Sequence, residues 1–133
     1  MHEWPLHITI ADTFAVDDVQ SLISDIATYV NTHPNAGTKI IGESVLGETP
    51  VWLLENTENL YDFHNSIIAI LNRHHVTFNH PEFTASGFLP HISKNISADM
   101  KIGDKVLINI VSIVDMFPEK DWEKRKVLQH IKP

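Results

Sequence analysis

The chain has 133 residues, enough for one domain or for two lobes that share a core. It contains no cysteine, which excludes disulfides, thiolate catalysis and cysteine-ligated zinc. The net charge of −7 disfavours sequence-independent binding to duplex nucleic acid, because such binding needs a basic surface. A small phosphate ligand held in a local pocket remains compatible with this charge.

The first half of the chain predicts a strand, a helix, a hairpin and a second helix. An apolar run over residues 4–11 indicates a buried strand. Apolar residues then recur at helical spacing over 17–31, where Asp17 or Asp18 is placed to cap the helix. Residues 12–16 between them are expected to form a loop. Segments 39–46 and 50–55 flank Gly47-Glu48-Thr49 and predict a hairpin.

The second half repeats this order of elements in a looser form. A second amphipathic helix is predicted over 58–74, followed by an irregular stretch over 76–87. Strands are expected at 88–95, at 105–116 as one central strand, and at 123–131. The resulting order is β-α-β-β-α-β-β-β, a weak internal repeat in an α+β chain.

Two short motifs occupy equivalent places in the two halves. His7-Ile8-Thr9 and His91-Ile92-Ser93 each have a histidine, one apolar residue and a hydroxyl residue, in an apolar segment that follows a proline. In a strand, residues two apart project from the same face, so each histidine would share a face with its hydroxyl. The apolar residues between and beside them would point into a core.

Two such motifs are suited to cleaving a phosphodiester without a metal. One histidine takes a proton from the attacking oxygen and the other gives a proton to the leaving oxygen, since imidazole populates both forms near neutral pH. The hydroxyls of Thr9 and Ser93 would donate hydrogen bonds to the non-bridging phosphate oxygens. Either tripeptide alone is uninformative, but the pair in equivalent positions is a specific signal.

The sequence resembles the two-histidine (2H) phosphoesterase superfamily, which includes 2′-5′ RNA ligase/RNA 2′,3′-cyclic phosphodiesterase proteins. The resemblance rests on residues 7–10, on residues 88–93 with their aromatic residue and proline, and on the Gly47 hairpin leading into residues 51–54. It implies a single bilobal α+β domain over residues 1–133. Two antiparallel sheets would surround a central cleft with pseudo-twofold symmetry, and the two main helices would lie outside.

The resemblance also implies the residue roles and the reaction. His7 and His91 would be the catalytic pair, and Thr9 and Ser93 would bind phosphate. The expected reaction is metal-independent hydrolysis of nucleotide phosphodiesters such as 2′,3′-cyclic phosphates, RNA ends or small cyclic and 2′-5′ oligonucleotides, with no cofactor. A non-catalytic nucleotide- or phosphate-binding module and a 2′-5′ RNA ligase are the alternatives.

Three further residues are candidate substrate contacts: Lys94, Trp52 and Phe88. Lys94 replaces the hydrophobic residue that ends the family signature, so either the strand ends or bulges there or its ammonium reaches the phosphate. Trp52 could stack on a base, but a tryptophan in an apolar strand is more often part of a core. The same two interpretations, a base contact or a core residue, apply to Phe88.

The remaining histidines and lysines have simpler interpretations. His64 lies near the apolar face of the second helix and is expected to be a buried or half-buried structural residue. His74 and His75 suit the last turn of that helix. Five basic residues lie within 120–132 and favour a lysine-guarded edge strand over a phosphate-facing patch.

No histidine and carboxylate spacing matches a metal hydrolase, so no metal is expected. The first residues lack a basic region, so we expect no signal peptide. No apolar run is long enough to span a bilayer. We therefore expect a cytoplasmic monomer whose partner is a nucleotide or short oligonucleotide substrate.

Overall fold

The structure is a computed structural model. It describes residues 8–11, 13–32, 37–79, 81–84, 87–94, 100–107, 111–115 and 126–131. Within these ranges it contains two α-helices, a short 3-10 turn and eight strands. The predicted α+β class with two main helices and antiparallel strands is confirmed.

Both helices form where apolar periodicity predicted them. Helix α1 spans Val19–Thr32 and buries Leu22, Ile26 and Val30 on one face. The Asp18 carboxylate accepts a hydrogen bond of 3.1 Å from the Ser21 backbone N–H, so Asp18 is the residue that caps this helix. Helix α2 spans Glu58–Arg73 and is capped by Thr57, whose hydroxyl accepts from the Leu60 N–H at 3.2 Å.

The largest sheet has four antiparallel strands in the order β5-β3-β2-β6. Its hairpin consists of β2, Gly37–Leu46, and β3, Thr49–Leu54, joined at Gly47, whose positive φ of 63° suits a residue without a Cβ. Strand β5, His91–Ser93, pairs with β3, and strand β6, Lys105–Leu107, pairs with β2. Among the described strands, the two at the ends of this order, β5 and β6, therefore come from the second half of the chain.

Two smaller strand pairs complete the described sheets. Strands β1, Phe14–Ala15, and β4, Thr77–Phe78, pair antiparallel, although both segments were predicted to be irregular. Strands β7, Val111–Asp115, and β8, Lys126–Ile131, form the other antiparallel pair. The prediction of a terminal strand over 123–131 is confirmed for residues 126–131, and residues 123–125 lie outside the described residues.

The prediction of one central strand over 105–116 is wrong. Residues 105–107 form an edge of the four-stranded sheet, whereas residues 111–115 pair with β8. Val106 packs on a cluster under the four-stranded sheet, but Val111 and Ile113 pack on the helices. A continuous β-branched run has strand propensity along its whole length. Its two parts pair with different strands because each packs against a different hydrophobic cluster.

The first predicted strand is also revised. Residues 8–11 are irregular, and residues 4–7 lie outside the described residues. The predicted burial pattern nevertheless holds for the described part. Ile8 and Ile10 each pack against a hydrophobic cluster, while Thr9 between them is exposed.

The buried hydrophobic residues of the described ranges form two clusters. The larger joins both helices to Phe88 and Ile131, and it is flanked by Ile10, Val111 and Ile113. The smaller is formed by Ile40, Leu54 and Ile92 on one face of the four-stranded sheet, and it is flanked by Ile8, Trp52, Met100 and Val106. We call these the helix cluster and the sheet cluster.

Among the described residues no helix is long and apolar enough to cross a membrane.

Candidate functional site

The second motif lies on β5, which is at one end of the four-stranded sheet in the described part of the chain. His91 is paired with Leu53 and Ser93 with Val51 in the antiparallel register with β3. Directly opposed residues project from the same face, so His91 and Ser93 share one face of the sheet, as predicted. Ile92 between them is buried in the sheet cluster on the other face. We call the face from which His91 and Ser93 project the His91 face.

The imidazole of His91 is held in one tautomer by the backbone just before it. Its Nδ1 lies 2.8 Å from the carbonyl oxygen of Leu89. Because a carbonyl oxygen can only accept, Nδ1 carries the proton and donates. In the neutral ring Nε2 is therefore the basic nitrogen, and when protonated it is a donor. The ring is half-buried, which leaves it accessible from solvent.

The first motif is described only in part. His7 lies outside the described residues. Thr9 is exposed, and Ile8, the middle residue of this motif, packs against the same sheet cluster that contains Ile92. The middle residues of both motifs thus share one small hydrophobic cluster, which places Thr9 next to a core that also supports His91 and Ser93.

Trp52 and Lys94 lie together on the opposite face of the sheet. Trp52 is the direct cross-strand partner of Ile92, and it also opposes Glu43 on β2. The Nζ of Lys94 lies 4.1 Å from the centroid of the Trp52 ring and forms an ion pair with Glu43. The strand ends at Ser93, so Lys94 is at the strand boundary, the first of the two predicted arrangements.

Phe88 lies in the core, 8 % exposed, rather than at an open surface. Its ring stacks on the imidazole of His64 at a centroid distance of 3.9 Å. The predicted structural role of His64 is confirmed, since His64 is 1 % exposed and its Nδ1 donates to the Ile10 carbonyl at 2.6 Å. Burial lowers the pKa of His64, because desolvation disfavours the imidazolium, and the hydrogen bond to Ile10 opposes this only in part.

The remaining predicted residues of interest lie away from this site. His74 is at the C-terminal end of α2, where its Nε2 lies 2.6 Å from the Asp25 carboxylate of α1. His75 follows it and is exposed, with a positive φ of 55°. In the basic segment 120–132, the described part belongs to β8 and its lysine side chains lie outside the described residues.

Two lysines that belong to no sequence motif also face each other across the four-stranded sheet. Lys39 on β2 and Lys105 on β6 are exposed direct cross-strand partners. No local pattern could have identified them, because 66 residues separate them and only the sheet register brings them together.

Among the described residues no group of three or more histidine, aspartate or glutamate side chains is arranged to hold a metal ion. Comparisons with family models, with curated proteins and with solved structures give no match to this chain.

Proposed function

We propose that this protein is a metal-independent phosphodiesterase of the 2H type, in which His7 and His91 exchange protons with a nucleotide phosphodiester. The observation that carries the proposal is the arrangement of His91 and Ser93 on the sheet. They share a half-buried sheet face, and the Leu89 carbonyl orients the imidazole with Nε2 as its exchangeable nitrogen.

The packing of the first motif supports the same arrangement. Ile8 and Ile92 belong to one hydrophobic neighbourhood, so the two histidine-hydroxyl segments are supported from a common core. In the proposed site Thr9 and Ser93 donate hydrogen bonds to the non-bridging oxygens of the phosphate. The fold would be the bilobal 2H arrangement, with one motif in each lobe and the phosphate in the cleft between them.

The reaction is the addition of water across one P–O bond of a 2′,3′-cyclic phosphate. One neutral histidine accepts a proton from water as the water oxygen attacks phosphorus. The bond from phosphorus to the 2′ or 3′ oxygen breaks, and the other histidine, initially protonated, donates its proton to that oxygen. The two rings finish with exchanged protonation, and proton exchange with solvent restores the starting state.

The test is turnover of a substrate panel by the protein and by single variants. Cyclic mononucleotides, oligonucleotides with cyclic ends and 2′-5′-linked oligonucleotides are followed by phosphorus NMR in the presence of a chelator. We expect hydrolysis with a bell-shaped pH dependence, and a loss of about 10²- to 10⁴-fold in kcat for His7→Ala and for His91→Ala. His75→Asn is the matched control, because His75 is exposed and asparagine tolerates a positive φ.

Two outcomes contradict the proposal. Activity that is abolished by the chelator but retained in both histidine variants would show a different chemistry. Saturable binding of the same ligands with no product from any of them would favour the phosphate-binding module, which uses the same four residues without catalysis.

A further inference from the structure

The cross-strand pair formed by Lys39 and Lys105 places two positive charges side by side. In an antiparallel ladder the Cβ atoms of directly opposed residues lie about 5 Å apart, and like charges in these positions are destabilising. Both side chains are exposed, and neither forms an ion pair with another residue in the described part of the chain. An anion bound between the two ammonium groups would remove this repulsion.

The pair lies on the His91 face. Ile40 opposes Leu54, so Ile40 and Leu54 share the face of the sheet cluster. Lys39, one residue before Ile40, must therefore project from the other face, and its direct partner Lys105 projects with it. His91 and Ser93 project from this same face at the opposite edge of the sheet.

The sheet geometry also sets the spacing between the two positions. His91 opposes Leu53, and Lys39 lies two strands away from β5 and about two residues farther along the ladder. With strands about 4.8 Å apart and about 3.4 Å per residue, the Cα atoms of His91 and Lys39 are about 12 Å apart. The long lysine stems allow both ammonium groups to extend over the surface between them.

A shallow pocket of about 370 Å³ surrounds the lysines, and it is lined by both of them and by Glu55. The hydroxyls at its wall are already engaged: that of Thr38 donates to the Glu55 carbonyl, and that of Thr57 donates to the Gly37 carbonyl at 2.9 Å and caps α2. Two cations and one carboxylate leave the lining with a net positive charge. This contrasts with the chain as a whole, whose net charge is −7.

We propose that Lys39 and Lys105 form a second phosphate site, which binds an internal phosphodiester of a short single-stranded oligonucleotide whose terminal phosphate is at His91. This inference rests on the proposed function and specifies its substrate class. A cyclic mononucleotide has one phosphate and cannot occupy both positions, whereas an oligonucleotide with a cyclic end can. The protein is therefore selective for oligonucleotide ends.

The first experiment measures selectivity in the variant Lys39→Gln/Lys105→Gln. The ratio of kcat/KM for a ribotetranucleotide with a 2′,3′-cyclic end to kcat/KM for the cyclic mononucleotide should fall about tenfold. The loss should appear in KM for the oligonucleotide, because the lysines bind substrate and do not transfer protons. Lys101→Gln is the matched control, since Lys101 is exposed in the loop before β6. It removes one positive charge, the same as each of the two substitutions in the double variant.

The second experiment is independent of catalysis. Fluorescence anisotropy of a 5′-fluorescein-labelled ribotetranucleotide with a 3′-phosphate gives its Kd over about 50 to 200 mM salt. The double variant should weaken binding about tenfold and reduce the slope of log Kd against log salt by about 1.4, about 0.7 for each lost contact. A wild-type protein that hydrolyses nothing would refute the proposed function. The binding measurement would still show whether Lys39 and Lys105 bind an oligonucleotide phosphate.

The inference is overturned if the double variant binds the labelled oligonucleotide as tightly as the wild type, or if Lys101→Gln weakens binding as much per removed charge as the double variant does. The first result would mean that Lys105 only protects the exposed edge of β6 from pairing with other strands. The second would mean that binding depends on total charge rather than on this pair.

Discussion

The imidazole of His64 lies parallel to the ring of Phe88, with the two centroids 3.9 Å apart and the planes within 5°. The same imidazole donates from Nδ1 to the carbonyl of Ile10. Ile10 follows Thr9 of the first motif, and Phe88 precedes His91 of the second. One buried side chain of α2 therefore contacts both segments that carry the proposed catalytic residues.

This double contact predicts a large loss of stability for His64→Ala. The substitution leaves a cavity beside Phe88 and leaves the Ile10 carbonyl without this donor, so we expect a loss of about 3 kcal/mol in the free energy of unfolding. Urea unfolding measures it, with His75→Asn as the control at about 0.5 kcal/mol or less. A loss below about 1 kcal/mol for His64→Ala would show that the stacked ring contributes little.

The lowered pKa of His64 predicts a pH dependence of stability. Between this lowered pKa and the ordinary value near 6.5, the unfolded chain binds a proton at His64 that the folded protein does not bind. Stability from this group is therefore fully present above about pH 6.5 and is lost as the pH falls through that window. Urea midpoints at several pH values should show a smaller decrease in His64→Gln, and equal decreases in both proteins would contradict the prediction.

Asp18 and Asp17 form a matched pair for testing the cap of α1. Asp18 accepts from the Ser21 N–H and from the Ser21 hydroxyl, and these hydrogen bonds lower the pKa of its carboxyl. Asp18→Ala should lower the urea midpoint at neutral pH more than Asp17→Ala does. A lowered carboxyl pKa contributes stability that is fully present above the ordinary value of 3.8 and is lost as the pH falls below it. The difference between the two variants should therefore shrink and disappear in acid.

The contact between Lys94 and Trp52 predicts an energetic coupling. The Lys94 ammonium lies over the indole ring and is also paired with Glu43. A double-mutant cycle with Lys94→Gln and Trp52→Leu should give a coupling of about 0.5 to 1 kcal/mol in the free energy of unfolding. The same cycle with Lys39→Gln should be additive, because Lys39 projects from the opposite face of the sheet. Additivity in both cycles would mean that the ring contact has no net effect on stability.

The elements that could be predicted correctly are those specified by short-range patterns. Both helices follow from apolar residues spaced three and four apart, which bury one face wherever the helix is placed. The β2–β3 hairpin follows from the turn at Gly47. The shared face of His91 and Ser93 follows from the two-residue period of a strand, which does not depend on the partner strand.

The elements that could not be predicted depend on the choice of partner. The run over 105–116 has the same strand propensity throughout, yet its two parts pair with different strands because they reach different clusters. Strands β1 and β4 have two residues each, too few for a period to be visible, and they exist only because each pairs with the other. The position of Lys94 was left open for the same reason, since its ion pair is with a residue 51 positions away.

The sequence by itself determined the two helices, the hairpin and the two histidine-hydroxyl motifs, because each depends on residues within a few positions of one another. The tertiary structure alone decided that Ile8 and Ile92 share a cluster, that His64 contacts both motif segments, and that Lys39 opposes Lys105. These relationships depend on sheet register and on core packing, and a chain acquires both only when distant segments meet.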